Sequence, residues 1–269
     1  MKPYNRILVT GAAGYLGQLV RQSLAGRVAH VRLTDIAPMA SAQEGEEVWP
    51  CDLADAEAMH QAMAGVDAVV HLGASLNVDD WKQTLNVNIE GTYNVYEAAR
   101  RAGVRRVVYA SSHHAVGMYP VSERIGSDVR LRPDSLYGVS KCFGEALAQY
   151  CWDKFGLESV CLRIGSTRPE PSAAEPREFT TWLSEPDFER LLLASLHAPT
   201  VGCSTVYGVS KNGDVWWDNS EGAKLGFQPE DDAARLPTQP ASALQDRLQG
   251  GKRAAHGLLE GAQRLCANR

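Results

Sequence analysis

The sequence has little that would place it in a membrane, on nucleic acid or in an oxidising compartment. No apolar stretch approaches the roughly 20 residues that a helix needs to cross a bilayer. The first strand-like run, Ile7-Leu8-Val9, begins so close to the first residue that no signal peptide is expected. Basic residues are not in excess: the net charge is −5, the wrong sign for the usual nucleic-acid footprint. Six cysteines (51, 142, 151, 161, 203 and 266) include no C-x-x-C pair. That argues against a disulfide framework or a zinc ribbon and suits a reducing cytoplasm. There is no G-x-S-x-G elbow, no His pair at metal-binding helical spacing, no internal repeat and no low-complexity tract.

What is present is an ordinary globular composition, 44% hydrophobic over 269 residues, enough for one large α/β domain. Short β-rich runs ("RILVT", "HVRLT", "EEVWPC", "DAVVHLG", "RVVYASS", "LESVCLRIG") alternate with longer helical stretches. This alternation predicts a Rossmann-type doubly wound parallel sheet covered by helices on both faces. A single long helix is expected near "WKQTLNVNIEGTYNVYEAARRAG" and another over "SLYGVSKCFGEALAQYCWDKFG". After Gly165 the character changes. "STRPEPSAAEPRE" reads as loop, "DFERLLLASLHA" as an amphipathic helix, "STVYGVS" as a strand and "KRAAHGLLEGAQRLCANR" as a terminal helix. Residues 1–165 are therefore the expected nucleotide-binding and catalytic core. Residues 166–269 form a small substrate-binding cap packed on it as one domain.

Two motifs carry chemistry. In "LVTGAAGYLG", Gly11, Gly14 and Gly17 follow the first strand and open a helix. Such a turn lets backbone N–H groups approach a pyrophosphate at the positive end of the helix. Asp35, at the end of "VRLTD", stands where a carboxylate accepts the adenosine ribose hydroxyls and repels a 2′-phosphate, which favours NAD over NADP. Arg32 should point away from this position. In "CDLAD", Asp52 suits the adenine edge and Asp55 a helix cap.

The second motif is "YGVSK". Tyr137 and Lys141 share a helix face at i and i+4. A phenol with an ordinary pKa of about 10 becomes a usable base when a cation favours its phenolate. Ser112, at the end of the "RVVYASS" strand, can hydrogen-bond the same substrate oxygen. With no nucleophile elbow and no third metal ligand, "SSHH" reads as a hydrogen-bond donor followed by pocket histidines at the open edge of the sheet.

These residues together resemble the extended short-chain dehydrogenase/reductase family. "ASSHHAVGMYP", "RPDSLYGVSKCFGE", "RIGSTRPEP", "WWDNSEGAKLGF" and "RLQGG" resemble its bacterial NAD-dependent uronate dehydrogenase group. The resemblance covers roughly residues 6 to 251. It implies a homo-oligomeric enzyme that oxidises C1 of D-glucuronate or D-galacturonate to the aldarolactone. Tyr137 would be the proton acceptor, assisted by Lys141 and Ser112. NAD contacts are implied at Gly11, Gly14, Tyr15, Leu16, Gly17, Asp35 and Ile36, then at Asp52, Leu53, Leu72, Gly73, Ala74 and Ser75. Further NAD contacts are implied at Asn88, Ile164 and Thr167, beside Tyr137 and Lys141, with Asn88 also supporting the active site from its helix. Substrate contacts are implied at Ser75, Leu76, Ser112, His113, His114 and Ser166, with Arg177 gripping the carboxylate.

The sequence departs from the group in the substrate region. His113 stands where an asparagine is usual, and an imidazole there suggests a KM that titrates near neutrality. Ser75 lies one position early with Leu76 in its place, two extra residues precede Arg177, and the last eighteen residues find no match. A nucleotide-sugar epimerase or dehydratase of the same family and a non-catalytic NAD sensor are the rival readings. The first usually has a larger C-terminal domain, and the second has no need of Ser112, Tyr137 and Lys141 together.

Overall fold

The computed structural model describes residues 4–77 and 80–257. Seven parallel strands form the central sheet: β1 (Arg6–Thr10), β2 (His30–Thr34), β3 (Glu46–Val48), β4 (Ala68–His71), β5 (Arg106–Ser112), β6 (Glu158–Ile164) and β9 (Cys203–Gly208), in the order β3-β2-β1-β4-β5-β6-β9. The helices between them are α1 (Tyr15–Leu24), α2 (Ala56–Ala62), α3 (Trp81–Gln83), α4 (Gly91–Ala102), α5 (Leu136–Phe155), α6 (Glu178–Thr181), α7 (Glu185–His197), α8 (Ser220–Lys224) and α9 (Lys252–Ala255). A two-stranded ladder pairs β7 (Ser166–Thr167) with β8 (Trp182–Leu183). No helix among the described residues is long and apolar enough to cross a membrane.

The strands are apolar throughout because both faces are covered. Along β1, Ile7 and Val9 join one core with Val20, Leu24 and Leu191, while Leu8 joins the other with Met59, Val69 and Tyr96. That alternation is the two-residue period of a strand with a core on each side. The helix ends follow local chemistry. Asp55 accepts from Ala58 N at 2.9 Å, as its position suggested, and Ser135 caps α5 through Gly138 N at 3.1 Å. Left-handed Gly103 and Gly156 end α4 and α5. Arg32 indeed faces away from the nucleotide edge: it pairs with Glu47, donates to the Ala62 carbonyl and lies over Trp49.

Four expectations need correction. The long helix after β4 is not uniform, because Thr84–Glu90 widens to a π-helical segment between α3 and α4. "EEVWPC" forms a strand only over Glu46–Val48. The proline-rich stretch after Gly165 is not all loop, since it contains β7 and leads into α6. The helix expected over 252–269 breaks after α9, where His256 is extended and Gly257 left-handed at φ +71°; residues 258–269, with Cys266, lie outside the described residues.

The segment after Gly165 also supplies part of the core sheet, because β9 pairs with β6 over six residues, Ser159↔Cys203 to Ile164↔Gly208. Buried Arg106 ties α7 beneath β5 and β6 by donating to the carbonyls of Ser195, Leu196 and Ala198 while pairing with Glu158. A smaller cluster of Val116, Tyr119, Ile125, Tyr207, Trp216 and Trp217 packs beside the sheet's C-terminal edge. Fully buried Gln249 fastens the returning C-terminal segment there, accepting from Trp217 Nε1 and donating to the carbonyls of Pro120 and Glu123.

Candidate active site

A cavity of about 530 Å³ opens across the C-terminal ends of the strands, at the point where the chain leaves β1 in opposite directions for β2 and β4. Its first wall is the glycine turn. Gly11 has φ +69°, and a Cβ there would stand 2.7 Å from Gly73 N. One at Gly17 would stand 2.4 Å from the Gly11 carbonyl, so this wall is bare backbone by steric necessity. Gly14, Tyr15 and Leu16 line the same wall. Asp35 and Ile36 continue it past β2, and the Asp35 carboxylate accepts from Ala13 N at 3.0 Å and Ala37 N at 2.9 Å. Asp52 and Leu53 close one end, Asp52 also bonding Ala54 N at 2.9 Å.

The strand end after β4 (Leu72, Gly73, Ala74, Ser75, then Leu76) and the one after β6 (Ile164, with Thr167 beyond it) line the remaining walls. Asn88 does not line the cavity. It is buried behind it and clamps Ser75 from both sides, accepting from Ser75 N at 2.7 Å and donating to its carbonyl at 2.9 Å. The hydroxyl of Thr167 is buried without a hydrogen-bond partner, a vacancy that suits a polar ligand.

Ser112, Tyr137 and Lys141 meet at the inner end. Ser112 is the last residue of β5; its hydroxyl accepts from His114 N at 3.2 Å and lies close enough to the Tyr137 phenol to favour its phenolate. Lys141, one turn along α5, donates Nζ to the Ala110 carbonyl at 2.8 Å and sits 5.4 Å from the centre of the Tyr137 ring. Burial pushes Lys141 down to about 7 and Tyr137 up. The Ser112 hydrogen bond and the Arg253 guanidinium work against the rise at Tyr137. Behind them, Glu145 on α5 accepts from Ser111 at 2.6 Å and from Arg163 at 2.9 and 3.0 Å, pinning α5 to the ends of β5 and β6.

The histidines occupy a 3₁₀ turn, His113–Val116. His113 Nδ1 meets the Ile164 carbonyl at 2.8 Å, so Nδ1 carries the proton and Nε2 is the acceptor; Nε2 is buried without a partner. Trp217 stacks on its other side at 5.5 Å. Burial drives both imidazoles well below their ordinary pKa, and the Arg177 charge adds to the effect. The expectation that His113 titrates near neutrality is therefore wrong: the ring is enclosed and neutral. His114 Nδ1 bonds Asp134 Oδ2 at 2.6 Å, which turns its Nε2 outward as a second acceptor.

Ser166 and Arg177 adjoin this region without lining the main cavity. Ser166 shares a hydrogen bond with Thr181 at 2.9 Å. Arg177 is not a solvated loop arginine; it precedes α6, is half-buried, and gives Nε and Nη2 to the Gln249 carbonyl. Asp134, Trp217, Gln249 and Arg253 were missed by sequence reasoning. "RPDSLYG" held a signal for the first, an acid directly before a helix cap. The other three lie far along the chain and reach the site only through tertiary packing.

Residues 7–171 match the NAD dependent epimerase/dehydratase family. The chain belongs to that family. It is 48% identical over 255 residues to a uronate dehydrogenase of Agrobacterium fabrum, covering 91% of this chain and 95% of that one. A uronate dehydrogenase of Pseudomonas putida is 45% identical over 263 residues, covering 95% and 97%. Among solved structures, a uronate dehydrogenase from Agrobacterium tumefaciens, a tyrosine-to-alanine variant complexed with NAD, superposes with a TM-score of 0.89 at 46% identity, covering 95% of this chain and 98% of that one.

Proposed function

We propose that this member of the epimerase/dehydratase family is an NAD-dependent uronate dehydrogenase that oxidises C1 of D-glucuronate or D-galacturonate to the aldarolactone. The observation that carries the reading is the convergence of Ser112, Tyr137 and Lys141 beside two neutral imidazole acceptors and a half-buried guanidinium. That set deprotonates an alcohol, accepts sugar hydroxyls and attracts an acid. The identity to uronate dehydrogenases over nearly the whole chain supports the substrate class.

NAD, held by the glycine turn, Asp35, Asp52 and the strand ends around Gly73 and Ile164, would supply the hydride acceptor. The protein's own work is on the proton. Ser112 and Tyr137 each hydrogen-bond the C1 hydroxyl, and Tyr137 takes its proton. Lys141, fixed on Ala110, favours the phenolate from one turn away. The acceptor nitrogens of His113 and His114 orient ring hydroxyls, and Arg177 attracts the C6 carboxylate. A homo-oligomer in the cytoplasm belongs to the same proposal. Exposed Trp81, Leu85 and Tyr93, beside exposed Val139 and Tyr150 on packed α5, support self-association.

The test is absorbance of NADH in a screen of glucuronate, galacturonate, glucose and UDP-sugars with NAD. Turnover of either uronate is the expected result. Conversion of a UDP-sugar without net NADH would replace this reading with epimerase or dehydratase chemistry.

A further inference from the structure

The Arg177 fork is already partly spent. A guanidinium grips a carboxylate best through two parallel N–H bonds from one edge. The Nε–Nη2 edge of Arg177 is taken by the Gln249 carbonyl. Its charge is offset as well, by Asp246, Asp134 and Glu178 within electrostatic reach.

The turn that occupies Arg177 delivers a second arginine. After Gln249 the chain passes through Gly250 and Gly251. Gly251 has φ +60°, and a Cβ there would stand 2.7 Å from Arg177 Cδ, so the turn lies directly on the Arg177 side chain. It leads straight into α9, which projects Arg253 back over the catalytic tyrosine: the guanidinium carbon lies 5.1 Å from the centre of the Tyr137 ring. Arg253 is half-buried and makes no hydrogen bond or ion pair among the described residues. The buried carboxylate in its field, Asp134, is committed to His114 and Ser135. Among the described residues neither edge of the Arg253 fork has a hydrogen-bond partner, and the guanidinium lies over the Tyr137 ring.

We propose that Arg253 is a specificity-determining residue that binds the C6 carboxylate of the sugar acid, sharing with Arg177 a two-guanidinium clamp closed by the Gln249–Gly251 turn. This rests on the uronate reading above. A neutral sugar gains no ion pair from it, so the clamp separates acid from parent hexose through binding, apart from the charge's effect on Tyr137.

The experiment compares Arg253→Gln and Arg253→Lys with wild type on D-glucuronate and on D-glucose at saturating NAD. Arg253→Gln is expected to raise KM for glucuronate by about tenfold to a hundredfold, the loss of a charged hydrogen-bonding pair. It should leave the KM for glucose nearly unchanged, while kcat falls alike on both sugars as far as the guanidinium favours the Tyr137 phenolate; Arg253→Lys should recover part of both losses through its point charge. D-glucarate gives a readout without turnover: its protection of the wild type against thermal unfolding in the presence of NADH should weaken in Arg253→Gln. Equal rises of KM on both sugars, or an unchanged KM for glucuronate whatever happens to kcat, would each overturn the assignment. A wild type inactive on every uronate would bring down the functional reading and this one together. A wild type active on glucuronate with an indifferent Arg253→Gln would remove this one alone.

Discussion

Asp134 holds His114 through a 2.6 Å contact between Oδ2 and Nδ1, and the carboxylate side chain is completely shielded from solvent. Two glycines from distant parts of the chain make room for it: a Cβ on Gly117 or on Gly250 would lie 2.0 Å from the same oxygen. A buried carboxylate with this much backbone cleared around it fixes one tautomer of His114 and leaves Nε2 as acceptor. Removing Asp134 leaves a buried N–H without a partner, a cost of about 1–3 kcal/mol. Asp134→Ala is expected to lower kcat/KM for uronate by about ten- to a hundredfold, while NAD affinity measured by fluorescence titration stays put. Gly250→Ala should act in the same direction, because it displaces the carboxylate without altering its charge. Full activity in both variants would show that the contact does not orient His114 for the substrate.

Tyr137→Phe keeps the ring and removes the phenol. With the general base gone, kcat should fall by about 10²–10⁴-fold. NAD affinity should be nearly unchanged, since only the phenolic oxygen is removed from the cavity wall. Steady-state rates beside a direct NAD titration make the comparison. Near wild-type kcat in the phenylalanine variant would remove Tyr137 from the base role.

Asp35 closes the ribose end of the cavity while its carboxylate accepts from Ala13 N and Ala37 N. A 2′-phosphate brought there meets a fixed negative charge. Wild-type protein should strongly prefer NAD to NADP, and Asp35→Ser should narrow the ratio of kcat/KM values, with part of the effect coming from the loosened turn. A wild type that uses both cofactors equally would contradict this role.

His71 bridges Thr10 and Thr92 at 2.7 and 3.2 Å in the full interior, and burial pushes its pKa down to about 3 from the ordinary 6.5. Between those values the unfolded chain binds a proton that the folded protein refuses. This contribution to stability is therefore intact above pH 6.5 and is lost as the pH falls toward 3. Thermal unfolding followed from pH 7 to pH 4 should show a decline that is shallower in His71→Gln. Parallel declines would mean that other groups dominate the acid limb.

Because His113 is neutral and enclosed, the KM for uronate should be flat between pH 6 and 8 as far as this side chain is concerned. His113→Asn should change the ratio of glucuronate to galacturonate efficiency without adding or removing a pH limb. An inflection near neutrality present in the wild type and absent from His113→Asn would reverse the conclusion.

The nucleotide half was legible because its chemistry is local. Gly11 and Gly17 must be glycine where a strand turns into a helix, and Tyr137 and Lys141 share a face by helical spacing alone. The alternating apolar runs announced both the sheet and its covered faces. What escaped was whatever depends on the chain returning from far away. Arg177 looks like a loop residue until Gln249 comes back to accept its N–H groups. His113 looks titratable until Trp217 and the Ile164 carbonyl enclose it. Arg253 lies in a stretch without useful periodicity, and its meaning comes from where a two-glycine turn aims it. The π-helical widening at Thr84–Glu90 also left no pattern in the sequence that separates it from an ordinary helix.

The pairing of β6 with β9 governs the order in which this chain becomes competent during synthesis. When the ribosome has released Ile164, the sheet has six of its strands but ends in an open edge of Val160, Leu162 and Ile164 with unpaired backbone groups. Residues 165–202, which include α7, must emerge before Cys203–Gly208 can cover that edge. Such an edge is a template for pairing with other chains. A fragment stopped at Gly165 would carry the whole glycine turn and the Tyr137–Lys141 pair, yet be a sticky intermediate rather than a free-standing nucleotide-binding module.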